Sequence, residues 1–233
     1  MPYDDGRGFA LKRWDLFRSP PLLHLTIHSA AFHRSIKPRQ YREMSPANPD
    51  SLADYLHTVV TALPELTSYC LVGALAVNAW GRLRATKDID LLVLGDLPAR
   101  TDLIDALRAH EFQIDQTWLE HNPMAKDVVM RLAHPSYPRI PLDLLFANDL
   151  QSQSALTRRH LLQLFGVSLY VCGPEDLVLL KLKAGRPHDF EDALGVVKNP
   201  HLQLDLAYLW NWADKLGLHG ELDYVLHAAG MSR

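Results

Sequence analysis

Cysteine is scarce in this chain, and long hydrophobic runs are missing. Its 233 residues include two cysteines, Cys70 and Cys172, which are far apart and have no C-x-x-C spacing. This pattern indicates two reduced, buried thiols in a cytosolic protein. No apolar stretch approaches the ~20 residues of a membrane span, and the N-terminus has no apolar segment followed by a small-residue cleavage site. We therefore expect a cytoplasmic protein that does not interact with membranes.

An excess of one sign of charge is also missing. The formal net charge is −3, with 22% charged and 48% hydrophobic residues. Such a balance gives no overall attraction to DNA or to a membrane surface, and the apolar content is ordinary for a soluble protein with a sizeable core. The length allows one large domain, or one domain with a small helical extension.

Charge and proline are unevenly distributed along the chain. Residues 1–43 carry a formal charge of +4, which leaves −7 on the remainder, and Pro20, Pro21 and Pro38 interrupt any helix there. We expect a flexible basic N-terminal arm over residues 1–43. An α/β core is predicted over residues 44–172, and a helical region over 173–233.

Hydrophobic periodicity predicts the regular elements of the body. The first helix has Asp50 or Ser51 as its N-cap, with Asp54 three residues after Ser51 as in a capping box, and a second long helix is expected to be capped by Thr101. Buried strands are predicted within 68–73, 88–95, 127–134, 140–147 and 167–173, and helices at 74–81, 174–184, 189–198, 203–216 and 220–228. The predicted fold class is α/β (α+β), a mixed β-sheet flanked by helices and followed by a C-terminal helical subdomain.

Two aspartates stand directly before an apolar run in the segment RATKDIDLLVLG. Asp88 and Asp90 are two residues apart, so on a strand their side chains point to the same face. The run after Asp90 is apolar on both faces, as in a strand that is buried on both sides. Like charges at such a position raise each other's pKa unless a cation compensates. Oxygen ligands without His or Cys favour Mg²⁺ or Mn²⁺.

A third carboxylate lies inside another apolar strand. Asp143 is the single charged residue between Ile140 and Ala147, and a lone charge in such a run is costly unless it has a partner. If the two strands are neighbours, Asp143 joins Asp88 and Asp90 around one ion or ion pair. Paired metals held by carboxylates are a recurring device for phosphoryl and nucleotidyl transfer. The alternative for each acid is a solvated strand end or a salt-bridge partner.

A glycine at a strand-to-helix turn precedes the aspartates. In YCLVGALAVNAWG, Gly73 ends a predicted strand and opens a short helix. Such a turn presents backbone N–H groups to a phosphate, aided by the helix N-terminus. The alternative is that the glycine only permits a tight turn.

Together these motifs resemble the nucleotidyltransferase superfamily that includes polymerase beta. The shared pattern is an apolar strand, Gly73 with a small residue after it, a short helix ending in Gly, R-x-T-x-D-x-D and a later strand with one Asp. The segment PEDLVLLKLKAGRPHDFEDALGVV is similar to a block of AbiEii-like toxins and related bacterial nucleotidyltransferases. The matched blocks cover roughly residues 69–94, 140–147 and 173–197.

The resemblance implies roles for the acidic residues and for the glycine turn. It makes Asp88 and Asp90 the metal-binding pair, and it makes Asp143 a third metal ligand that helps to deprotonate the attacking hydroxyl. Gly73 and Ala74 would face the phosphates. Ala74 departs from the family pattern, because Ser or Gly is usual there and alanine lacks a hydroxyl that could bind phosphate.

The resemblance also implies a basic nucleotide-binding region. The residues that would bind the nucleotide are Arg84, Lys87, Lys181 and Arg186. The residues that would support them are Lys183, Asp189 and Asp192. The alternatives remain open at this point. The lysines could be solvated helix charges, Asp189 and Asp192 could stabilise a helix N-terminus, and Arg84 and Lys87 could merely balance the neighbouring aspartates.

The activity implied is Mg²⁺- or Mn²⁺-dependent transfer of a nucleoside monophosphate from an NTP to a hydroxyl, with release of pyrophosphate. RNA, a protein side chain or a small molecule could accept it, and the resemblance suggests a toxin with a cognate antitoxin as partner. Two alternatives remain: a weak or inactive relative that serves as a binding or regulatory module, and a different metal-dependent phosphohydrolase. Ala74 and the near-neutral charge favour the module, while the three aspartates oppose it.

Overall fold

The structure, a computed structural model, describes residues 51–125 and 127–231. The basic arm predicted for residues 1–43 lies outside these ranges. The predicted division of the rest at residue 172 stays a prediction.

Helices and strands alternate through the first two thirds of the described chain, and helices alone form the last third. The helices are α1 Leu52–Ala62, α2 Gly73–Trp80, α3 Leu97–Ala109, α4 Gln116–His121, α5 Leu150–Thr157, α6 Pro174–Ala184, α7 Pro187–Val197, α8 Leu206–Leu216 and α9 His219–Ala228. The strands are β1 Tyr69–Leu71, β2 Ile89–Leu94, β3 Gln113–Ile114, β4 Val129–Ala133, β5 Leu142–Ala147, β6 His160–Leu164 and β7 Val167–Val171.

The described strands form one mixed sheet in the order β3-β4-β5-β2-β1-β7-β6. The pairs β2–β5 and β1–β7 are parallel, whereas β1–β2, β3–β4, β4–β5 and β6–β7 are antiparallel. The predicted fold class, a mixed sheet flanked by helices with further helices at the C-terminal end, is confirmed.

The apolar runs of β2 and β5 place these strands in the centre of the sheet. Ile89, Leu91, Leu142 and Leu144 share one face and are completely buried, and Leu92 on the opposite face is 2% exposed, as expected for strands that are covered on both faces. The buried residues of α6 to α9 belong to the same hydrophobic core as those of the sheet. No helix within the described ranges is long and apolar enough to cross a membrane.

Helix capping was predicted correctly at one helix and wrongly at another. The Asp54 N–H donates to Ser51 Oγ at 3.2 Å, so Ser51 caps α1 as expected. The second long helix, α3, is capped by Asp96 and not by Thr101. Pro98 is tolerated in the first turn of a helix, so the helix begins at Leu97. Thr101 lies one turn inside it and donates its hydroxyl to the Leu97 carbonyl.

Several elements were not predicted, among them helices α4 and α5 and the strands β3 and β6 at the two edges of the sheet. Strand β6 is largely exposed at the sheet edge, so its apolar residues do not alternate with polar ones as in a half-buried strand. Helix α5 is rich in Gln and Ser and depends on Asp149, whose carboxylate accepts the Ser152 N–H at 2.9 Å. These elements are stabilised by neighbours that a local pattern does not reveal.

Candidate active site

An ionic row crosses three neighbouring strands. Asp90 of β2 lies opposite Asp143 of β5 in the parallel pair, and Asp143 lies opposite Arg131 of β4 in the antiparallel pair. Residues directly opposite each other share a face of the sheet, so the three side chains form one row. The prediction that the two aspartate-bearing strands are neighbours is confirmed.

Asp88 stands at the entrance to β2, immediately before its first residue. It is half-buried and accepts a hydrogen bond from the Thr86 hydroxyl. Because it is two residues from Asp90, its side chain points to the same side of the extended chain. No cation among the described residues forms an ion pair with Asp88 or Asp90. The two carboxylates therefore carry charge that protein side chains do not neutralise directly.

Gly73 brings the backbone into contact with Asp90. Its φ is +62°, and an added Cβ would lie 1.8 Å from Asp90 Oδ2. The Val72 N–H donates to the Asp90 carbonyl at 2.9 Å, which fixes the turn against the strand. Only glycine provides both this φ and this close approach. Ala74, the next residue, is buried.

The electrostatics of Asp90 reflect uncompensated charge. Burial first, and then the charges of Asp88 and Asp143, raise its pKa to about 7 from 3.8, although Lys181 and Arg131 act in the opposite direction. Carboxylates that repel one another in this way suit a hard divalent cation, which would favour their charged forms. Asp88 and Asp90 thus fit a Mg²⁺ or Mn²⁺ ion in donor chemistry.

Asp143 has a different environment, because its carboxylate is already paired. Arg131 donates from Nε to Oδ1 at 2.7 Å and from Nη2 to Oδ2 at 2.6 Å. This fork is the strong bidentate geometry of an arginine–carboxylate pair. Within residues 51–125 and 127–231, no three His, Cys, Asp or Glu side chains are arranged so that they could hold a metal. The role of Asp143 as a third metal ligand remains a prediction.

A second charged group surrounds the start of α7. Lys181 Nζ lies 3.1 Å from Asp189 Oδ1 and 2.9 Å from Asp192 Oδ2, and all three residues are buried. Arg186 donates to both oxygens of Asp189. Burial acts to raise the pKa of Asp189, but the hydrogen bonds from Arg186 and Lys181 outweigh it and lower that pKa. Lys181 is therefore held by two carboxylates and is not a solvated helix charge.

Two arginines of the loop between α2 and β2 complete this group. Arg82 Nη1 and Arg84 Nε each lie 3.0 Å from Asp192 Oδ1. The Arg84 backbone is fixed because Asn78 accepts from its N–H at 2.8 Å and donates to its carbonyl at 2.9 Å. We call Arg82, Arg84 and Arg186 the arginine cluster. Charge on Asp90 contributes to raising the pKa of Arg186, which places the cluster within electrostatic reach of the aspartates.

The approach of the loop to α7 depends on Gly195. A Cβ at this position would lie 2.6 Å from Arg82 Cβ and 2.7 Å from its Cδ. The aliphatic part of Arg82 therefore packs directly on the helix backbone.

The structure does not bring the two remaining basic residues into these groups. Lys183 forms an ion pair with Asp149 at the N-terminus of α5, and Lys87 is exposed. The interpretation as solvated charge therefore suits Lys183, whose side chain is 41% exposed, and not Lys181, whose side chain is 8% exposed.

Asp192 is the residue on which the second group depends, so Asp192→Asn is expected to lower the free energy of unfolding by about 3 kcal/mol. The variant leaves the buried Lys181 and the partly exposed Arg82 and Arg84 short of a countercharge, and the loss of one partner from a buried ion pair is strongly destabilising. Glu191→Gln is the matched control, because this neighbouring carboxylate pairs with Arg82 at the surface and is 62% exposed. Its loss is expected to cost less than about 1 kcal/mol. Urea denaturation of both variants measures the difference, and equal losses would contradict it.

Sequence reasoning missed Arg131, Arg82, Thr86 and Asn78. Arg131 is the single charge within the strand segment VVMRLA, so the reasoning that selected Asp143 applies to it equally. The only sequence feature that pointed to Arg82 was its position two residues before Arg84. The hydrogen bonds made by Thr86 and Asn78 leave no signal in the sequence.

Comparison with known proteins gives distant structural similarities. No family model matches the chain, and no curated protein matches it. JHP933 from Helicobacter pylori is 18% identical, with 75% of this chain and 81% of that chain covered and a TM-score of 0.42. The lincosamide antibiotic adenylyltransferase LnuA with bound lincomycin is 13% identical, with 64% and 99% covered and a TM-score of 0.43.

A third similar structure is an antigenic nucleotidyltransferase-like protein from Paracoccidioides brasiliensis. It is 18% identical, with 76% of this chain and 89% of that chain covered and a TM-score of 0.36. Similarity of this degree assigns no activity to the chain, and the relationship to AbiEii-like toxins stays a prediction.

Proposed function

We propose that this protein transfers a nucleoside monophosphate from an NTP to a hydroxyl group and releases pyrophosphate. The observation that carries the proposal is the pair Asp88 and Asp90, two carboxylates that form no ion pair with a described cation, together with the Gly73 turn, which packs against Asp90. The motifs RATKDIDLLV and YCLVG resemble those of nucleotidyltransferases at these same residues. The acceptor hydroxyl belongs to RNA, a protein or a small molecule.

Asp88 and Asp90 would hold Mg²⁺ or Mn²⁺. A bound divalent ion supplies Lewis-acid stabilisation of the charge that develops on phosphate oxygens during transfer. Burial and the charges of Asp88 and Asp143 raise the pKa of Asp90 to about 7, and a bound cation would favour its charged form.

The Gly73 turn and the arginine cluster would bind the triphosphate. Gly73 is the first residue of α2, where backbone N–H groups are free of helical partners, and the missing side chain lets the Asp90 carboxylate lie directly against this turn. In the arginine cluster, the side chains of Arg82, Arg84 and Arg186 are 35%, 32% and 63% exposed. Each keeps donors that an anion could use, because an arginine has five N–H groups. The positive charge of the buried Lys181 would add to the attraction for the triphosphate.

Asp143 would accept the proton of the attacking hydroxyl, the role that the motif resemblance implies for it. A carboxylate next to Asp90 in the same row is well placed for this. To act as a base it must be released, at least in part, from Arg131. Asp189 and Asp192 would support the site by positioning Lys181 and the arginines.

The test is incubation of the protein with Mg²⁺ and NTPs labelled on the α-phosphate, with and without RNA and protein acceptors. We expect pyrophosphate and a labelled acceptor, and the double variant Asp88→Asn/Asp90→Asn should form neither. Asp102→Asn, which removes an exposed carboxylate of α3, is the control and should retain activity. Release of phosphate without labelled acceptor would instead indicate a phosphohydrolase.

A binding or regulatory module is the second candidate. It is favoured by Ala74, which supplies no hydroxyl to a phosphate, and by the ion pair that engages Asp143. In that case nucleotide would bind and protect the protein from thermal unfolding, but no pyrophosphate would appear with any acceptor. A toxin activity neutralised by a partner antitoxin belongs to the first candidate, and co-expression tests of growth arrest address it.

A further inference from the structure

Arg131 lies at the end of the ionic row and pairs with both carboxylate oxygens of the third acid, Asp143. Both carboxylate oxygens of Asp143 receive a hydrogen bond from its guanidinium, at 2.7 and 2.6 Å. The Asp143 side chain is 11% exposed and that of Arg131 is 26% exposed, so water screens the pair only weakly. The hydrogen bond and the charge of Asp143 raise the pKa of Arg131 above its already high value. The guanidinium is therefore permanently charged.

The position of Arg131 is fixed by its surroundings as well as by Asp143. Its guanidinium carbon lies 5.0 Å from the centroid of the Trp118 ring on α4, within the range of a cation–π contact. Its backbone carbonyl accepts the N–H of Asp115, which caps the same helix. Helix α4 therefore fixes Arg131 at the end of the ionic row that lies opposite Asp90.

The three acids therefore differ in whether a cationic side chain pairs with them. Asp143 is neutralised by a fixed guanidinium, whereas Asp88 and Asp90 have no cationic partner among the described residues. We propose that Arg131 is a positioning residue that withholds Asp143 from a divalent ion, so that the free protein offers an ion the carboxylates of Asp88 and Asp90 alone. The inference rests on the proposed function, because it concerns the same metal-dependent site.

The test measures binding of Mn²⁺ to the full chain without nucleotide, by electron paramagnetic resonance of the free ion. Asp143→Asn is expected to leave the Mn²⁺ affinity within about 2-fold of that of the wild type, since Arg131 already occupies the carboxylate. Asp90→Asn is expected to abolish binding. Arg131→Gln, which releases Asp143 next to Asp90, is expected to bind Mn²⁺ about tenfold more tightly, and adding Asp143→Asn should cancel this gain.

Two further variants separate positioning from a general structural role. Arg100→Gln is the matched control, because Arg100 stacks on Phe146 of β5 at 3.7 Å and donates to Asn148 but pairs with no carboxylate in the part of the chain that the structure describes. It should leave the Mn²⁺ affinity unchanged. Arg131→Lys keeps the charge without the planar fork and should give an affinity between those of the wild type and Arg131→Gln.

The outcomes distinguish this inference from the function on which it rests. It is overturned if Asp143→Asn weakens Mn²⁺ binding as strongly as Asp90→Asn does, or if the gain in Arg131→Gln survives the loss of Asp143. Should Arg131→Gln fail to fold, the comparison of Asp143→Asn with Asp90→Asn decides alone. If one of these two results is obtained and the wild type nevertheless transfers nucleotide, the proposed role of Arg131 is wrong but the proposed function stands. If the wild type binds no Mn²⁺ with or without NTP, the proposed function falls as well.

Discussion

Asp90→Asn is expected to lower nucleotidyl transfer by at least about 100-fold while it makes the protein more stable at pH 8. Activity falls because the amide cannot hold a divalent ion, which contributes several kcal/mol to the stabilisation of the transition state. Stability rises because the carboxylate is buried near Asp88 and Asp143, and its charge in the folded state is unfavourable. A loss of activity by misfolding would instead come with lower stability.

The gain in stability is expected to depend on pH in a defined direction. Asp90 loses its proton near pH 4 in the unfolded chain but only near pH 7 in the folded protein. Between these values the unfolded state binds fewer protons, so the free energy of unfolding of the wild type falls as the pH rises. The decrease is complete above pH 7 and amounts to up to about 4 kcal/mol. Below pH 4 this contribution vanishes.

Chemical denaturation of the wild type and Asp90→Asn at pH 5 and pH 8, without divalent ions, measures this difference. The stability gap should widen from the lower to the higher pH. Addition of Mg²⁺ at pH 8 should narrow it by stabilising the wild type alone. A gap that stays constant with pH would mean that Asp90 is not an uncompensated buried charge.

Gly73→Ala has the second large expected effect. The added methyl group would overlap Asp90 Oδ2, which lies 1.8 Å from the Cβ position, and the backbone φ of +62° is unfavourable for alanine. The turn or the carboxylate must move, so we expect activity to fall by at least about 100-fold and the free energy of unfolding to drop by about 2–4 kcal/mol.

Gly217→Ala separates the two causes. Gly217 has nearly the same φ, +70°, but an added Cβ would meet nothing within 4 Å. This control carries the backbone cost of about 1–2 kcal/mol without the overlap, and it should keep full activity. Assays of transfer and denaturation on both variants make the comparison. If Gly73→Ala behaved like Gly217→Ala, the Gly73 turn would not define the site.

The sequence predicted the central acids because burial leaves a strong local signal. Asp88, Asp90 and Asp143 stand out as charges at or inside apolar runs, and such runs predict neighbouring central strands. The pairing of Asp143 with Arg131 was not predictable in the same way, since it depends on the register of β4 against β5. That register is set by packing over the whole sheet and not by the residues next to Arg131.

The second charged group was predicted only in part for a related reason. Lys181, Arg186, Asp189 and Asp192 were selected from a motif, but spacing within α6 and α7 could not reveal that Lys181 is buried between two carboxylates. Its partners come from the next helix, and Arg82 comes from a loop more than 100 residues away along the chain. The edge strand β6 and helix α5, which packs on the central strands, were not predicted because neither has a strong local pattern.

The contact of Arg82 with α7 at Gly195 has a consequence for the architecture of the chain. The loop that leads into Asp88 rests on the bare backbone of a helix that comes about 100 residues later. A cut at the predicted boundary after residue 172 would therefore separate Arg82 and Arg84 from their ion-pair partner Asp192. Asp88, Asp90 and Asp143 would remain on one fragment, whereas Gly195 and Asp192, which hold the loop before Asp88, would be on the other. Helix α7 is therefore a support of that loop and not an appendage of the sheet.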